Sequence, residues 1–182
     1  MLKKTKKIVL TGGPGTGKSS IINELTNRGY LCKTEISREV TLKAQKKGID
    51  QLFLKEPILF SRLLLQSRVR QFKETDQSTE EFVFFDRGVP DVIAYLDYTN
   101  TVYPQEFTDK TNACSYDCIF HCKPWETIYT KDNERYESFD ASKKIDHYLR
   151  QTYESLDYKI LTVPFNTISK RADFILNSLN CE

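Results

Sequence analysis

The sequence predicts an α/β fold in which five parallel strands form a doubly wound sheet, with helices on both faces and a small lid. Short apolar runs alternate with stretches of helical spacing along the 182 residues. Strands that alternate with helices favour right-handed crossovers and a parallel sheet. A glycine-rich loop also joins the first apolar run to the first helical stretch, and the length suits a single core.

The predicted strands are short and apolar, and the predicted helices lie between them. The strands are Ile8–Thr11, Tyr30–Lys33, Phe82–Asp86, Cys118–Cys122 and Lys159–Val163. The helices are Lys18–Asn27, Ile36–Lys47, Pro57–Glu74, Pro90–Asp97, about Ser142–Leu156, and Thr167–Leu179 with Thr167 as N-cap. No linker or repeat interrupts this pattern, so residues 1–182 are expected to form one domain with a lid at about 124–142. Ligands of such sheets bind at the carboxyl ends of the strands.

The loop after the first strand carries the most specific motif of the chain. Residues 12–19 read Gly-Gly-Pro-Gly-Thr-Gly-Lys-Ser, which matches the phosphate-binding pattern G-x-x-x-x-G-K-[ST]. Glycine lets backbone N–H groups from Gly13 to Lys18 turn toward the α- and β-phosphates of a nucleotide, and the helix start adds its dipole. Lys18 would reach the β- and γ-phosphates, and the Ser19 hydroxyl can bind Mg²⁺. The predicted nucleotide-binding residues are Gly12, Gly13, Pro14, Gly15, Thr16, Gly17, Lys18, Ser19 and Ser20.

A carboxylate ends the third strand. Asp86 follows four apolar residues, so it should emerge beside the phosphate-binding loop. There it could hold Mg²⁺, directly or through water, or accept a proton from the attacking hydroxyl. Arg87 and Asp91 follow closely and are candidate acceptor-binding residues. The alternative is a strand-ending aspartate in a turn with Gly88.

Two charged residues follow the second strand. Glu35 and Arg38 are three positions apart, and both could face the cleft if a helix begins near Ile36. A carboxylate suits hydrogen bonds to a sugar or alcohol, and an arginine suits an anion. The alternative is a helix-capping glutamate with an exposed ion pair. The apolar helix Pro57–Glu74 could add one of its arginines to this pocket, and the sequence does not show which.

The polar stretch after the fourth strand is the candidate lid. A phosphotransferase needs a cover that excludes water and a cation on the transferred phosphoryl group. Arg135 is the candidate for that cation, and an ordinary exposed loop is the alternative. Trp125, at the start of the stretch, is expected to anchor the lid to the core, with base stacking as the other interpretation.

Composition excludes several classes of protein. The chain has 27 basic and 25 acidic residues and a formal net charge of +2, so nucleic-acid binding is not expected. The basic cluster Lys3–Lys7 is interpreted as a solvated flank. An odd number of cysteines and no recognisable signal peptide favour a reducing cytoplasm, and no apolar run is long enough for a membrane helix. The regularly spaced Cys114, Cys118 and Cys122 are read as buried strand residues rather than metal ligands.

Several motifs in order resemble one family. The segments LTGGPGTGKSS, RGY, TEISREV, FFDRGVPD, YD, PW and VPF…RADFIL resemble the P-loop ATPases and kinases related to the nicotinamide-riboside kinase domain of bacterial NAD-biosynthesis regulators. The chain is more broadly similar to thymidylate-kinase-like and nucleoside kinases. The resemblance implies Lys18 and Ser19 on ATP and Mg²⁺, Asp86 at the reaction centre, and Glu35, Arg38 and Arg87 near the acceptor.

The leading hypothesis is therefore a kinase that uses ATP and Mg²⁺ to phosphorylate a small-molecule acceptor, a nucleoside or riboside-like alcohol or its monophosphate. Asp86 would deprotonate or orient the acceptor oxygen, with Glu35 as the rival base, and Lys18 and Arg135 would stabilise the transfer. The alternative is a nucleotide-dependent ATPase switch that acts through a protein partner. The guanine-reading pattern N-K-x-D is absent from the sequence, which disfavours a GTPase. The sequence leaves open a homodimer and does not identify the acceptor.

Overall fold

A computed structural model of the chain describes residues 4–46, 52–129 and 138–180. Five parallel strands form one sheet in the order β2-β3-β1-β4-β5. The strands are β1 (Lys6–Thr11), β2 (Leu31–Lys33), β3 (Phe82–Asp86), β4 (Cys118–Cys122) and β5 (Ile160–Val163). This arrangement confirms the predicted doubly wound α/β fold.

The helices lie on both faces of the sheet. They are α1 (Lys18–Asn27), α2 (Ser37–Lys46), α3 (Leu52–Lys55), α4 (Pro57–Glu74), α5 (Pro90–Tyr98), α6 (Glu106–Asn112), α7 (Phe139–Ser155) and α8 (Ile168–Asn180), with a 3₁₀ turn at Glu126–Ile128. One core packs α4 and α5 against the sheet, a second packs α1 and α8, and a small third cluster joins α5 to α7. None of the helices in the described ranges is long and apolar enough to cross a membrane.

Most predicted elements occur with boundaries within a few residues, and the exceptions have local causes. Helix α7 begins at Phe139 rather than near Ser142 because the Ser138 side chain caps it, accepting from the Ala141 N–H at 3.1 Å. The short helices α3 and α6 were not predicted. Only Phe107 and Thr111 of α6 are buried, so its sequence has almost no apolar periodicity. At the start of α8, Thr167 Oγ1 accepts from the Lys170 N–H at 3.4 Å, as expected of its N-cap.

The basic amino-terminal cluster is not wholly a solvated flank. Lys6 and Lys7 belong to β1, and Lys7 is buried. Its ammonium lies 3.5 Å from the centroid of the Phe72 ring and forms an ion pair with Asp76. The aliphatic stem of a lysine can cover apolar surface while its charge finds a partner, so a charged residue can begin a buried strand.

The three regularly spaced cysteines occupy two different layers. Cys114 packs in the core beside α4 and α5, whereas Cys118 and Cys122 pack together in the core beside α1 and α8. This confirms that Cys118 and Cys122 share a strand face. The cysteines at 32, 114, 118 and 122 are free thiols.

Candidate active site

The phosphate-binding loop occupies residues 12–17, between β1 and α1. Gly12, Gly15 and Gly17 have φ values of 139°, 76° and 83°, which side chains rarely tolerate. A Cβ atom at Gly12 would lie 2.2 Å from the Cys122 carbonyl oxygen. Glycine is therefore required both by backbone conformation and by the close approach of β4, and the loop leads directly into the amino terminus of α1.

The side chain of Lys18 is folded onto this loop. Its Nζ donates to the carbonyl oxygens of Gly12 at 2.8 Å and Gly13 at 2.7 Å, and to Thr16 Oγ1 at 3.1 Å. Burial, assisted by the nearby Arg87 charge, lowers the pKa of Lys18 to about 8. An anionic phosphate in the loop would favour the charged form and give the ammonium a stronger acceptor.

Ser19 and Asp86, the two residues predicted to hold Mg²⁺, meet beside the loop. Ser19 Oγ donates to Asp86 Oδ2 at 2.7 Å. Asp86 is 4% exposed at the end of β3, and its Oδ1 has no hydrogen-bond partner among the described residues. Burial raises the pKa of Asp86, and the Lys18 charge acts against this shift.

These two side chains fit a magnesium ion that is also bound by a nucleotide. Oxygen atoms of one carboxylate and one hydroxyl are suitable ligands, and Asp86 Oδ1 has no hydrogen bond that would compete with coordination of the metal. In the described ranges no three His, Cys, Asp or Glu side chains cluster closely enough to hold a metal by themselves. Mg²⁺ commonly takes one or two carboxylates and completes its shell with phosphates and water, which matches this sparse set.

A second cluster lies beside Asp86 and is centred on Glu35. Arg87 Nε is 2.6 Å from Glu35 Oε2, and Arg68 Nη2 is 3.2 Å from Glu35 Oε1. The same Oε1 accepts from the backbone N–H groups of Ile36 at 2.9 Å and Ser37 at 3.1 Å. Glu35 therefore caps the start of α2, as the alternative interpretation had it, but its ion pairs are buried and join it to Arg68 and Arg87.

The two arginines fix the ionisation of Glu35. Burial by itself would raise its pKa, but Arg68 and Arg87 outweigh burial and lower the pKa to about 2. Glu35 is consequently a carboxylate at neutral pH and a weak proton acceptor. It is better suited to accepting a hydrogen bond than to removing a proton.

Arg87 connects the two clusters. It has a φ of 75°, an unusual conformation for a residue with a side chain, which places its guanidinium between the loop and Glu35. Its Nη1 donates to the Gly12 carbonyl oxygen at 3.2 Å and lies 3.3 Å from Asp91 Oδ1. The guanidinium carbon lies 5.3 Å from the centroid of the Tyr95 ring. One side chain thus touches both the phosphate loop and the candidate acceptor pocket.

Asp91, predicted as an acceptor-binding residue, is instead enclosed by protein donors. It is fully buried. Its Oδ1 accepts from Thr11 Oγ1 at 3.0 Å and from Arg87, while its Oδ2 accepts from the Gly88 N–H at 3.0 Å and the Tyr153 hydroxyl at 2.6 Å. With four donors around it, the carboxylate has no free face for a ligand. This geometry fits a residue that positions Arg87.

Arg68 is the site residue that the sequence did not single out. It is 4% exposed, and besides Glu35 it donates to the Gly88 carbonyl oxygen at 3.2 Å. It follows the buried Leu64 by four residues, so it lies on the buried stripe of α4. Arg62 is half-buried and pairs with Glu106, and Arg70 is exposed. Of the three candidate arginines of this helix, Arg68 is therefore the one beside Glu35.

Two predicted residues fall outside what the structure describes. Arg38 lies in α2, but the placement of its side chain is not described, and Arg135 lies outside the described ranges. The lid is described only at its two ends. Trp125 stacks on Phe165 with ring centroids 4.9 Å apart, but Phe165 is 51% exposed, so this contact does not join Trp125 to the core. The Tyr129 ring lies against Gly15 of the loop.

The amino-terminal half of α7, which follows the lid, also contacts the phosphate loop. Ser142 Oγ donates to the Pro14 carbonyl oxygen at 2.8 Å, and the Gly13 N–H donates to Asp146 Oδ1 at 3.3 Å. His121 Nε2 lies 2.7 Å from the same Asp146 oxygen. The Gly13 amide, which was predicted to face phosphate, is therefore engaged by a carboxylate, and the amides that follow it in the loop are left for a nucleotide.

A cavity of about 290 Å³ opens on this lid side of the loop. Its lining includes the exposed cations of Lys123, Lys143 and Arg150 together with the buried Asp146. Lys143 is paired with Asp140 and Arg150 with Glu154, so Lys123 is the lining cation for which no ion pair is recorded among the described residues.

A family model described as an AAA domain matches residues 7–171 of the chain. No curated protein matches the sequence significantly. Among solved structures, deoxyadenosine kinase from M. mycoides, with products dCMP and dCDP bound, has a TM-score of 0.72 at 18% identity, covering 97% of this chain and 100% of that one.

Two further solved structures have the same architecture. NadR in complex with NAD and AMP-PNP has a TM-score of 0.68 at 17% identity, over 96% of this chain and 48% of NadR, so this chain spans about half of that protein. Thymidylate kinase from Ehrlichia chaffeensis has a TM-score of 0.63 at 13% identity, over 97% of this chain and 99% of that chain. These matches agree with the resemblance found in the sequence, and at such identities they establish a shared fold.

Proposed function

This chain belongs to the AAA-domain family of P-loop proteins, and we propose that it is a kinase that uses ATP and Mg²⁺ to phosphorylate a small-molecule acceptor. The observation that carries the proposal is the position of Asp86. One carboxylate oxygen of Asp86 accepts a hydrogen bond from the Ser19 hydroxyl, and the other has no partner among the described residues. The next residue, Arg87, pairs with Glu35. A phosphate-binding loop and a polar pocket therefore meet at one carboxylate.

On the donor side, the loop amides after Gly13 and the start of α1 would bind the phosphates of ATP. Lys18 would leave the loop carbonyls for the β- and γ-phosphates. Ser19 and Asp86 would hold Mg²⁺, and a bound Mg²⁺ would neutralise part of the negative charge of the phosphates. Catalysis by these groups is mostly positioning and charge stabilisation.

On the acceptor side, Asp86 is the better candidate for orienting or deprotonating the attacking oxygen, provided that it reaches Mg²⁺ through a water molecule, because a carboxylate bound directly to the metal would be a poor base. Its pKa is raised by burial, whereas the pKa of Glu35 is held at about 2 by Arg68 and Arg87. A general base works best when its pKa approaches the working pH. Glu35 would instead accept a hydrogen bond from a second hydroxyl of the acceptor.

The charge of this pocket favours an uncharged acceptor over a phosphate. Arg68 and Arg87 are both paired with Glu35, and Arg87 also contacts Asp91. Among the described residues no cation of the cluster is left unpaired to receive a phosphate. A nucleoside or riboside-like alcohol is thus the leading acceptor, with its monophosphate second. The relatives' structures hold dCMP with dCDP, dATP, or NAD with AMP-PNP, ligands that all contain a ribose or deoxyribose.

The test is ATP consumption with Mg²⁺ against a panel of nucleosides, ribosides and their monophosphates. Lys18→Ala serves as the blank, and Lys43→Ala, at an exposed lysine of α2, serves as the matched control. We expect one class of acceptor to raise turnover well above the acceptor-free rate. Slow hydrolysis that no acceptor changes would reject the proposal and favour an ATPase switch that acts through a protein partner.

A further inference from the structure

Arg171, on α8, lies directly behind the phosphate loop and has no role in the function proposed above. It is 2% exposed and is the bulkiest of the fully buried side chains in the described ranges. Its Nη2 donates to the Thr16 carbonyl oxygen at 3.0 Å. Its Nη1 lies 2.7 Å from the position that a Cβ at Gly17 would occupy, so only glycine fits there while the guanidinium stays in place.

The hydrogen bond to Thr16 orients the next amide of the loop. A trans peptide unit is planar, and its C=O and N–H groups point in opposite directions. Because Arg171 holds the Thr16 carbonyl away from the loop interior, the Gly17 N–H of the same peptide unit is directed inward. Among the described residues this N–H has no acceptor. It is therefore available to a phosphate oxygen.

The charge of Arg171 has no counter-ion in the described part of the chain, where it forms no ion pair and its Nε has no hydrogen-bond partner. The guanidinium forms a side-chain hydrogen bond with Cys122, whose pKa is raised by burial so that it stays a neutral thiol, and the centroid of the Trp125 ring lies 6.0 Å from the guanidinium carbon. Neither group supplies a negative charge. Burying a cation without an anion is costly. A bound polyphosphate would supply the missing anion, since the guanidinium is bonded to the loop that would hold it.

We propose that Arg171 is a positioning residue for the nucleotide donor: it directs the Gly17 N–H inward, and its unpaired charge strengthens binding in proportion to the negative charge of the ligand. The inference rests on the proposed nucleotide site. Its distinguishing property is the dependence on the charge itself. If Arg171 supported the loop only through its shape, Arg171→Lys would lose the preference for ATP over AMP as fully as Arg171→Met.

The experiment measures the dissociation constants of ATP, ADP and AMP with Mg²⁺, and of inorganic tripolyphosphate, for four proteins. These are the wild type, Arg171→Met, Arg171→Lys and the control Arg70→Met, at an exposed arginine of α4. For Arg171→Met we expect ATP and tripolyphosphate binding to weaken about tenfold more than AMP binding, the size of one unit charge at moderate distance and dielectric constant. Arg171→Lys should retain most of the preference for ATP over AMP, and Arg70→Met should retain all of it.

An unchanged ratio of AMP to ATP affinity in Arg171→Met would overturn the inference, even if every ligand bound more weakly. If the methionine variant does not fold, Arg171→Gln repeats the test, because glutamine removes the charge and keeps an N–H donor for Thr16. Failure of the wild type to bind ATP would reject the proposed function itself, so the two failures are distinguishable.

Discussion

The donor and acceptor halves of the candidate site are built in different ways. The donor half is one continuous segment, residues 12–19, in which glycine conformations shape the backbone and Lys18 closes onto it. The acceptor half is a group of side chains from distant segments, in which Arg68 and Arg87 both pair with Glu35. The residues of a site made from backbone groups are consecutive in the sequence. The side chains of the acceptor half come together only when the sheet has folded.

This difference predicts how each half responds to substitution. Changes in the loop should affect the binding of ATP and the transfer step together. Changes in the Glu35 cluster should affect the acceptor and leave ATP binding intact. Asp86 is in contact with the loop through Ser19 and adjoins the cluster through Arg87, so it should affect the transfer step most specifically.

The largest effect is expected for Lys18→Ala, which tests the donor half. Loss of the ammonium should lower kcat/KM by about 10³-fold, equal to about 4 kcal/mol of transition-state stabilisation. Steady-state kinetics with the best acceptor of the panel measures this, with Lys43→Ala as control. A decrease of less than tenfold would show that the loop is not the reaction's donor site.

The next effect concerns stability in acid and tests the acceptor half. Because the pKa of Glu35 is about 2, below its ordinary value of 4.5, the carboxylate stabilises the fold above pH 4.5, and this contribution disappears as the pH falls toward 2. The loss should be on the order of 3 kcal/mol. Urea unfolding across this range should show the loss in wild type and in the exposed control Glu80→Gln, and much less of it in Glu35→Gln. Parallel pH profiles for all three proteins would contradict the ion-pair cluster.

Asp86→Asn tests the junction between the halves. Removing its charge while keeping its shape should lower kcat about 10²-fold, or about 2.7 kcal/mol. Affinity for ATP without Mg²⁺ should change little. The control is Asp97→Asn, an aspartate that bonds Tyr103 away from the site. Phosphoryl transfer within about threefold of wild type would refute the assignment of Asp86.

Arg68→Met sharpens the comparison, because it changes the acceptor half alone. Glu35 would keep only one of its arginines, so we expect the KM for the acceptor to rise about 20-fold, or just under 2 kcal/mol, with the dissociation constant of ATP unchanged. Arg62→Met, on the same helix, is the control. An equal loss of ATP and acceptor affinity would show that the two halves are not separate.

The smallest effect is expected for Tyr153→Phe. It removes the hydroxyl that donates to Asp91 at 2.6 Å and so loosens the support of Arg87. The free energy of unfolding should fall by about 1 kcal/mol, the usual worth of a buried hydrogen bond, and the acceptor KM should rise severalfold. Tyr148→Phe, on the same helix, is the control. A KM identical to wild type would show that Asp91 does not act through Arg87.

The sequence predicted the sheet, the loop and the strand-end carboxylates, because each depends on local periodicity or on consecutive residues. It offered the arginines of α4 for the acceptor pocket without singling out Arg68, and it assigned no role to Arg171. Both lie on apolar stripes, Arg68 four residues after the buried Leu64, and Arg171 four residues before the buried Ile175. An arginine at a buried helical position was the signal that could have revealed them.

The supporting role of Asp91 also could not be predicted from the sequence. Its spacing from Asp86 placed it near the acceptor, and only the fold shows that Thr11 and Tyr153, from distant segments, enclose its carboxylate. Residues that support a site and residues that touch a ligand have the same chemistry. Burial and the number of protein donors distinguish them.

The most direct test of the central claim follows the γ-phosphate of labelled ATP. The protein is incubated with Mg²⁺, labelled ATP and the acceptor panel, and the products are separated. If the loop and the Glu35 cluster are two halves of one kinase site, the label will appear on an acceptor, and Lys18→Ala will abolish it. Label found only in inorganic phosphate, whatever acceptor is present, would contradict the account.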